Sequence, residues 1–232
     1  MPCFNHKLEQ DVIAILSTDA WILLLQGVSV TVQLLVYSAI FAFIIAFVAG
    51  FGRLSKYGIV RGITITYVEF FRGTSLLVQL FWFFYVLPFF GLELPALMVG
   101  VMALAMNYGA YASEIVRSSV LAIPKEQTEA AIALNMTYWQ RMRRVILPQA
   151  IKIMLPGFGN ISIELLKGTA LVVLIGVNDV TYMVKQILIP SGAGTQYEMY
   201  LLLLVIYFIL ALPLILTARW LERRASLGGY SR

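Results

Sequence analysis

Charge is scarce in this chain: 12% of its 232 residues are charged and 60% are hydrophobic. Soluble domains average about 25% charged residues, so this composition cannot dress a water-facing surface, and it reads as an integral membrane protein. One cysteine, Cys3, excludes an intramolecular disulfide. One histidine, His6, leaves no basis for a histidine metal site or a His-based triad within one subunit. No phosphate-cradling G-x-x-x-x-G-K-[ST] loop is present, so the chain is not expected to hydrolyse nucleotide by itself. Tandem repeats, low-complexity segments and a separate soluble domain are also missing. The first nineteen residues are polar and lack an apolar core with a small-residue cleavage site, so no cleavable signal is expected.

Long apolar runs are what remains. They are continuous rather than alternating, so they suit helices, which satisfy their own backbone inside lipid. About 20 apolar residues cross a bilayer, and five spans are expected, near 21–51, 63–90, 95–120, 157–177 and 199–221. The expected fold is therefore all-α, one transmembrane domain over residues 1–232. Its connections differ sharply in charge. Arg53, Lys56 and Arg61 fill the first. Arg117, Lys125, Arg141, Arg143, Arg144 and Lys152 fall around the third, and Arg219, Arg223, Arg224 and Arg232 at the C-terminal end. "FFGLELPAL" and "ILIPSGAGTQYE" have no Lys or Arg at all. Thirteen of seventeen Lys/Arg thus fall on one side, which the positive-inside rule makes cytoplasmic. The N-terminus is expected outside and the C-terminus inside.

The loop 121–152 is the one strongly charged interruption. Pro124 suits the first position of a helix, and Glu126 and Glu129 suit the positive end of its dipole. Asn135 stands where a left-handed residue would end that helix. Thr137-x-x-Gln140 reads as a capping box opening a second, basic helix, expected to yield near Pro148. Such a hairpin could be a connector resting on anionic headgroups. It could also be a docking element, since the adjacent Ala130 and Ala131 allow a partner surface to approach closely.

The stretch "EAAIALNMTYWQRMRRVILP" closely resembles the EAA loop of binding-protein-dependent ABC importer permeases. Glu129, Ala130, Ala131 and Leu147-Pro148 match that pattern, Val145 takes the place of its isoleucine, and Asn135 replaces its glycine. "FRGTSLLVQLFW", "NYGAYASEIVRSSVLAIPKEQ" and "LPGFGNISIELLKGTALVVLIGV" resemble the polar amino acid subfamily, and the likeness covers nearly the whole chain. It implies a type I importer permease in a bacterial inner membrane. Glu129, Ala130, Ala131, Leu134 and Asn135 would form a coupling helix seated in a cytoplasmic ATPase dimer. The implied partners are that ATPase, which would use ATP and magnesium, an extracytoplasmic solute-binding protein and a second permease, a heterodimer being favoured. No cofactor would be bound by this chain, and no nucleic acid. Some segments look most like an ectoine/hydroxyectoine importer; a polar or basic amino acid or an opine is the alternative solute.

Ionisable residues inside spans are costly and point to function by default. Glu69 and Arg72, three apart, could pair on one helical face. Glu114 could pair with Arg117 or, with Asn107, line a solute path. Asn160, Glu164, Lys167 and Thr169 punctuate the fourth span, and both signs of charge there would suit a zwitterion, although a pair fixing helix register is the plainer alternative. Gly176, Asn178 and Asp179 end the apolar run. Asn178 could cap the helix, or, by resemblance, the break could precede an extracytoplasmic gate helix. The "FWFFY" string reads as a lipid-facing or packing element. An ATP-independent channel or secondary transporter would more typically show more spans or inverted repeats. A membrane enzyme would need convergent acid, base or metal residues.

Overall fold

A computed structural model describes residues 18–226, so Cys3 and His6 lie outside the described residues. Among the described residues all regular structure is helical, joined by short turns. Helix α1 is Thr18–Arg53, α2 is Gly58–Gly73 and α3 is Leu76–Phe90. Helix α4 is Ala96–Leu121 and α5 is Lys125–Ala133. Helix α6 is Tyr138–Ile175 and α8 is Gln196–Ser226. Between them, α7 begins at Val180–Tyr182 and continues as a wide π turn, Met183–Leu188.

Four helices, α1, α4, α6 and α8, are long and apolar enough to cross a membrane. A fifth span exists only if α2 and α3 count as one, and that pair is broken and bent by 105°. The expected continuous helix over 63–90 therefore does not form. The break falls at "GTS" (73–75), where glycine and the β-branched threonine weaken the helix and Thr74 is extended. At 36 residues, α1 is about 54 Å long, well beyond a hydrocarbon core of about 30 Å. It ends on Arg53, a cation at the negative pole of the helix.

The basic helix expected to yield near Pro148 does not yield. Helix α6 runs on through Pro148 and Pro156, so the helix that carries the fourth span starts at Tyr138. A π turn over Met142–Ile146 immediately precedes Pro148. That turn opens the ladder where the proline ring would otherwise strike the carbonyl four residues back. The side-chain amide of Gln149 donates to the Val145 carbonyl at 3.0 Å.

The described residues divide into two compact units, each assembled from three stretches of chain. The first contains the residues up to Ser38 with Leu77–Ala103 and Leu165–Leu212. Its core gathers Ala20 and Leu24 of α1, Val180, Val184 and Leu188 of α7, and Met199 of α8. Gly27 makes this possible: a Cβ there would stand 2.8 Å from the Val180 Cα, which is backbone and cannot swing away. One turn along α1, the buried Thr31 hydroxyl accepts from the Val180 amide at 3.1 Å, satisfying an amide in the first turn of α7.

The second unit contains Ala39–Leu76, Leu104–Glu164 and the described residues from Pro213 onward. Small residues set its helix spacing, with Ala46, Ala112, Val116, Ala150 and Met154 forming the buried cluster. Phe47 stacks on Phe158 at 6.0 Å, nearly parallel. This unit carries the hairpin and most of the charge.

Candidate functional site

The hairpin forms as its caps demand. Pro124 sits one residue before the helix, as its extended cap rather than its first turn, and α5 runs Lys125–Ala133. Asn135 takes the left-handed conformation, φ 54°, the one non-glycine among the described residues with positive φ. Its amide donates to the Ile132 carbonyl at 2.8 Å and the Met136 amide to Ala131 at 3.0 Å, which closes off the helix end. Thr137 and Gln140 form the full capping box: the Gln140 side chain accepts from the Thr137 amide at 2.9 Å, and the Gln140 amide donates to the Thr137 hydroxyl at 3.4 Å.

The two alanines expected to share a partner surface separate. Ala130 is exposed but Ala131 is buried, 3% accessible, against its own unit. Neighbours on a helix point about 100° apart, and here that turn carries Ala131 inward while Ala130 stays outside. The free face carries Glu129, Ala130, Ile132 and Leu134, the last 71% exposed. A 71%-exposed leucine on a rigidly capped nine-residue helix is an anchor without a partner inside this unit.

Glu69 and Arg72 do not pair with each other as their spacing suggested. Arg53 reaches Glu69 at 3.6 Å and also bonds Glu114, while Arg72 lies 3.9 Å from Glu114. Arg117 completes the cluster, its Nε donating to Glu114 at 3.1 Å. The pairing of Glu114 with Arg117 was legible from the i+3 spacing, but Arg53 and Arg72 were not. Three guanidinium groups thus converge on one carboxylate that is one-quarter exposed, which locks α1, α2 and α4 together rather than presenting a vacant charge.

Asn107 is buried, and its amide donates to the Phe71 carbonyl at 3.1 Å. The Tyr111 hydroxyl donates to the Arg72 carbonyl at 3.2 Å, and the Thr74 hydroxyl to Phe70 at 2.8 Å. The Phe71 and Arg72 carbonyls lie in the last turn of α2, at the break, and α4 supplies each with a side-chain donor. Asn107 therefore supports the broken helix instead of opening onto a path.

Asn160 and Glu164 lie four apart on α6 and both are exposed. The Tyr108 hydroxyl donates to the Glu164 backbone carbonyl at 2.9 Å, fixing the helix at that point while leaving the carboxylate free. In the first unit, Lys167 is exposed, whereas Thr169 is fully buried and its hydroxyl donates to the Leu166 carbonyl at 2.7 Å. Thr169 thus departs from the expected solute-facing set. Among the described residues neither Glu164 nor Lys167 enters a salt bridge.

Gly176, not Asn178, caps α6: its φ is 76° and its amide donates back to Val173 at 3.2 Å. Asp179 opens α7 by accepting from the Tyr182 amide at 2.9 Å. It is fully buried, and the Tyr207 hydroxyl, itself 2.9 Å from the Thr181 hydroxyl, lies 3.4 Å from it. Burial raises the Asp179 carboxyl above its ordinary range, and the hydrogen bonds from Tyr182, Thr181 and Tyr207 only partly offset this. Sequence reasoning missed this network, although an aspartate after Gly-Val-Asn is an N-cap signal. No group of three His, Cys, Asp or Glu side chains among the described residues could hold a metal ion.

Comparison with known proteins gives these features a family. Residues 20–227 match the model of the binding-protein-dependent transport system inner membrane component family. The probable amino-acid ABC transporter permease protein y4tF of Sinorhizobium fredii is 44% identical over 85% of this chain and 84% of its own length. The L-cystine transport system permease protein TcyB of Bacillus subtilis is 38% identical over 88% and 87%. The crystal structure of an amino acid ABC transporter with histidines superposes with a TM-score of 0.82 at 34% identity, covering 90% of this chain and 98% of that one. The chain belongs to the family of binding-protein-dependent transport system inner membrane components, as an ABC importer permease of the amino-acid type.

Proposed function

We propose that this subunit forms half of the membrane path for a zwitterionic solute of the amino-acid class, and that ATP-driven movement enters it through α5. The capped hairpin carries this reading. A helix held by a left-handed Asn135 at one end and a capping box just beyond transmits a push without pivoting, and its face of Glu129, Ala130, Ile132 and Leu134 is free to meet a cytoplasmic ATPase. A bare connector on headgroups needs neither cap. The ATPase dimer would bind the ATP and magnesium, the permease itself taking no cofactor. A solute-binding protein would deliver from outside, with the N-terminus on that side and the C-terminus inside. A second, different permease would complete the core.

Glu164 and Asn160, both exposed on α6 within the second unit, present an acid and an amide to the solute's cationic end. The names of the relatives favour an amino acid. Ectoine or hydroxyectoine is the second reading, resting on the likeness of "FRGTSLLVQLFW" and "IELLKGTALV" to ectoine permeases. The test is uptake into proteoliposomes of the co-expressed complex with its binding protein, ATP inside and labelled arginine, glutamine, cystine or ectoine outside. ATP-dependent uptake of an amino acid supports the reading, ectoine uptake moves the substrate, and uptake without ATP overturns the mechanism.

A further inference from the structure

Beside the hairpin, the second unit carries two adjoining depressions that the transport reading does not use. The larger, about 1050 Å³, runs between the α1–α2 connection and the first turns of α6. Its floor is apolar, built from Phe51, Leu54, Met142 and Leu147. The smaller, about 500 Å³, is lined by Trp139, Gln140, Arg143 and Arg144. Trp139 and Arg143 line both, so the oily trough and the basic one share a wall. Lys56 adds a third cation on the trough's rim, its ammonium 5.3 Å from the centre of the Tyr57 ring.

The pair lies where two membrane-crossing helices meet their basic connections. Helix α1 ends at Arg53 and α6 starts at Tyr138, the ends that carry Arg53, Lys56, Arg143 and Arg144, and such basic ends face anionic headgroups. Tyr57, Tyr138 and Trp139 are 64%, 56% and 77% exposed there, as amphipathic rings at a membrane boundary are. Among the described residues, no aspartate or glutamate lines either depression. A zwitterionic headgroup would bring an ammonium with nothing to meet it, whereas a net negative one meets Lys56, Arg143 and Arg144. None of the exposed residues of α5 takes part, so the coupling face and this trough are separate surfaces.

We propose that this trough holds one anionic phospholipid, its phosphate against Arg143 and Arg144 with Lys56 at the rim and an acyl chain over Phe51 and Met142. Arginine guanidinium groups suit phosphate oxygens bidentately, and juxtamembrane basic pockets recognise anionic headgroups. Occupancy would tie the α1–α2 connection to the base of the hairpin, so the leaflet's composition would reach the element through which force is proposed to enter.

The test places the purified permease complex in nanodiscs and follows tryptophan quenching by phosphatidylglycerol brominated near the glycerol end of its acyl chains. Brominated phosphatidylcholine serves as the reference, and subtracting the W139F signal isolates Trp139. Phosphatidylglycerol is expected to reach half-maximal quenching at a mole fraction at least five-fold lower than phosphatidylcholine, and unbrominated phosphatidylglycerol to reverse it. K56Q/R143Q/R144Q is expected to bring the two lipids within two-fold, while R61Q, outside the trough, preserves the preference. Equal quenching by both lipids in the unmodified protein means an unselective lipid annulus and overturns the proposal. So does a Trp139 shielded from both, which would mean that a protein partner covers the trough. Both readings come from the unmodified protein and W139F, so they hold even if the triple variant fails to assemble.

Discussion

Replacing Glu114 by glutamine tests whether its cluster is a lock or a solute site. The cluster contains Arg53, Arg72 and Arg117 against Glu69 and Glu114, a net charge of +1 that the substitution raises to +2. Glutamine keeps the shape and one acceptor oxygen but no longer neutralises the arginines. Removing one partner from a fully buried ion pair costs about 3–5 kcal/mol, whereas surface pairs contribute about 0–1 kcal/mol. Glu114 is 25% exposed and Arg53 only 12%, which places the cost at about 2–3 kcal/mol between those limits. For a chain of this length each kcal/mol moves the midpoint by about 2–4 °C, so the apparent Tm in detergent should fall by roughly 5–10 °C. Glu69 is the internal control: it is 62% exposed and holds Arg53 at 3.6 Å, so Glu69→Gln should cost about 0–1 kcal/mol. The assay is tryptophan fluorescence on heating, with size-exclusion profiles before each scan. If Glu114→Gln melts within 1 °C of Glu69→Gln, the lock is wrong and Glu114 returns to the solute path.

Glu164→Gln is expected to lower solute uptake in proteoliposomes while leaving complex assembly intact; unchanged kinetics would remove Glu164 from the path. Asn107→Leu removes the buried hydrogen bond to the Phe71 carbonyl, and losing one such bond costs about 1 kcal/mol, read as a lower melting midpoint with little change in solute discrimination. Asn135→Val forces a β-branched residue to φ 54° at a cost of about 1–2 kcal/mol, and should lower solute-stimulated ATPase activity of the complex, whereas Asn135→Gly should retain it. The Asp179 carboxyl is raised by burial, so its contribution favours the fold at low pH and is progressively lost as pH rises from the ordinary carboxylate range through the raised value. Asp179→Asn keeps a capping side chain and should flatten that fall in Tm over the same window; an unaltered pH profile would assign the dependence to other groups.

How much of this was legible in the sequence varied with how local the cause was. The hairpin's caps were readable, because a left-handed residue and a capping box act within four residues of themselves. Gly176 was visible as the end of an apolar run for the same reason, although Asn178 beside it looked an equally good cap. Span boundaries were less secure. Pro148 was expected to stop a helix that instead runs to Ile175, since a π turn upstream absorbs the ring. Nothing in "MRRVI" announces such a turn. The break at Thr74 also went unread, because its carbonyls are satisfied by Asn107 and Tyr111, more than thirty residues away.

The charges show the same division more sharply. Spacing along one helix predicted Glu114–Arg117 correctly and Glu69–Arg72 incorrectly, and no local signal separates the two. What decides between them is Arg53, which ends α1 within reach of both acids and so diverts Glu69 from its neighbour. A carboxylate in a membrane helix draws in any guanidinium the fold brings close, because the low dielectric strengthens each pairing. A charged side chain left outside such a cluster is then the informative one. Glu114 met its three partners, whereas Glu164, whose backbone carbonyl is held by Tyr108, kept its carboxylate exposed. That difference, invisible in the sequence, is the physical ground for expecting solute at the second acid and stability at the first.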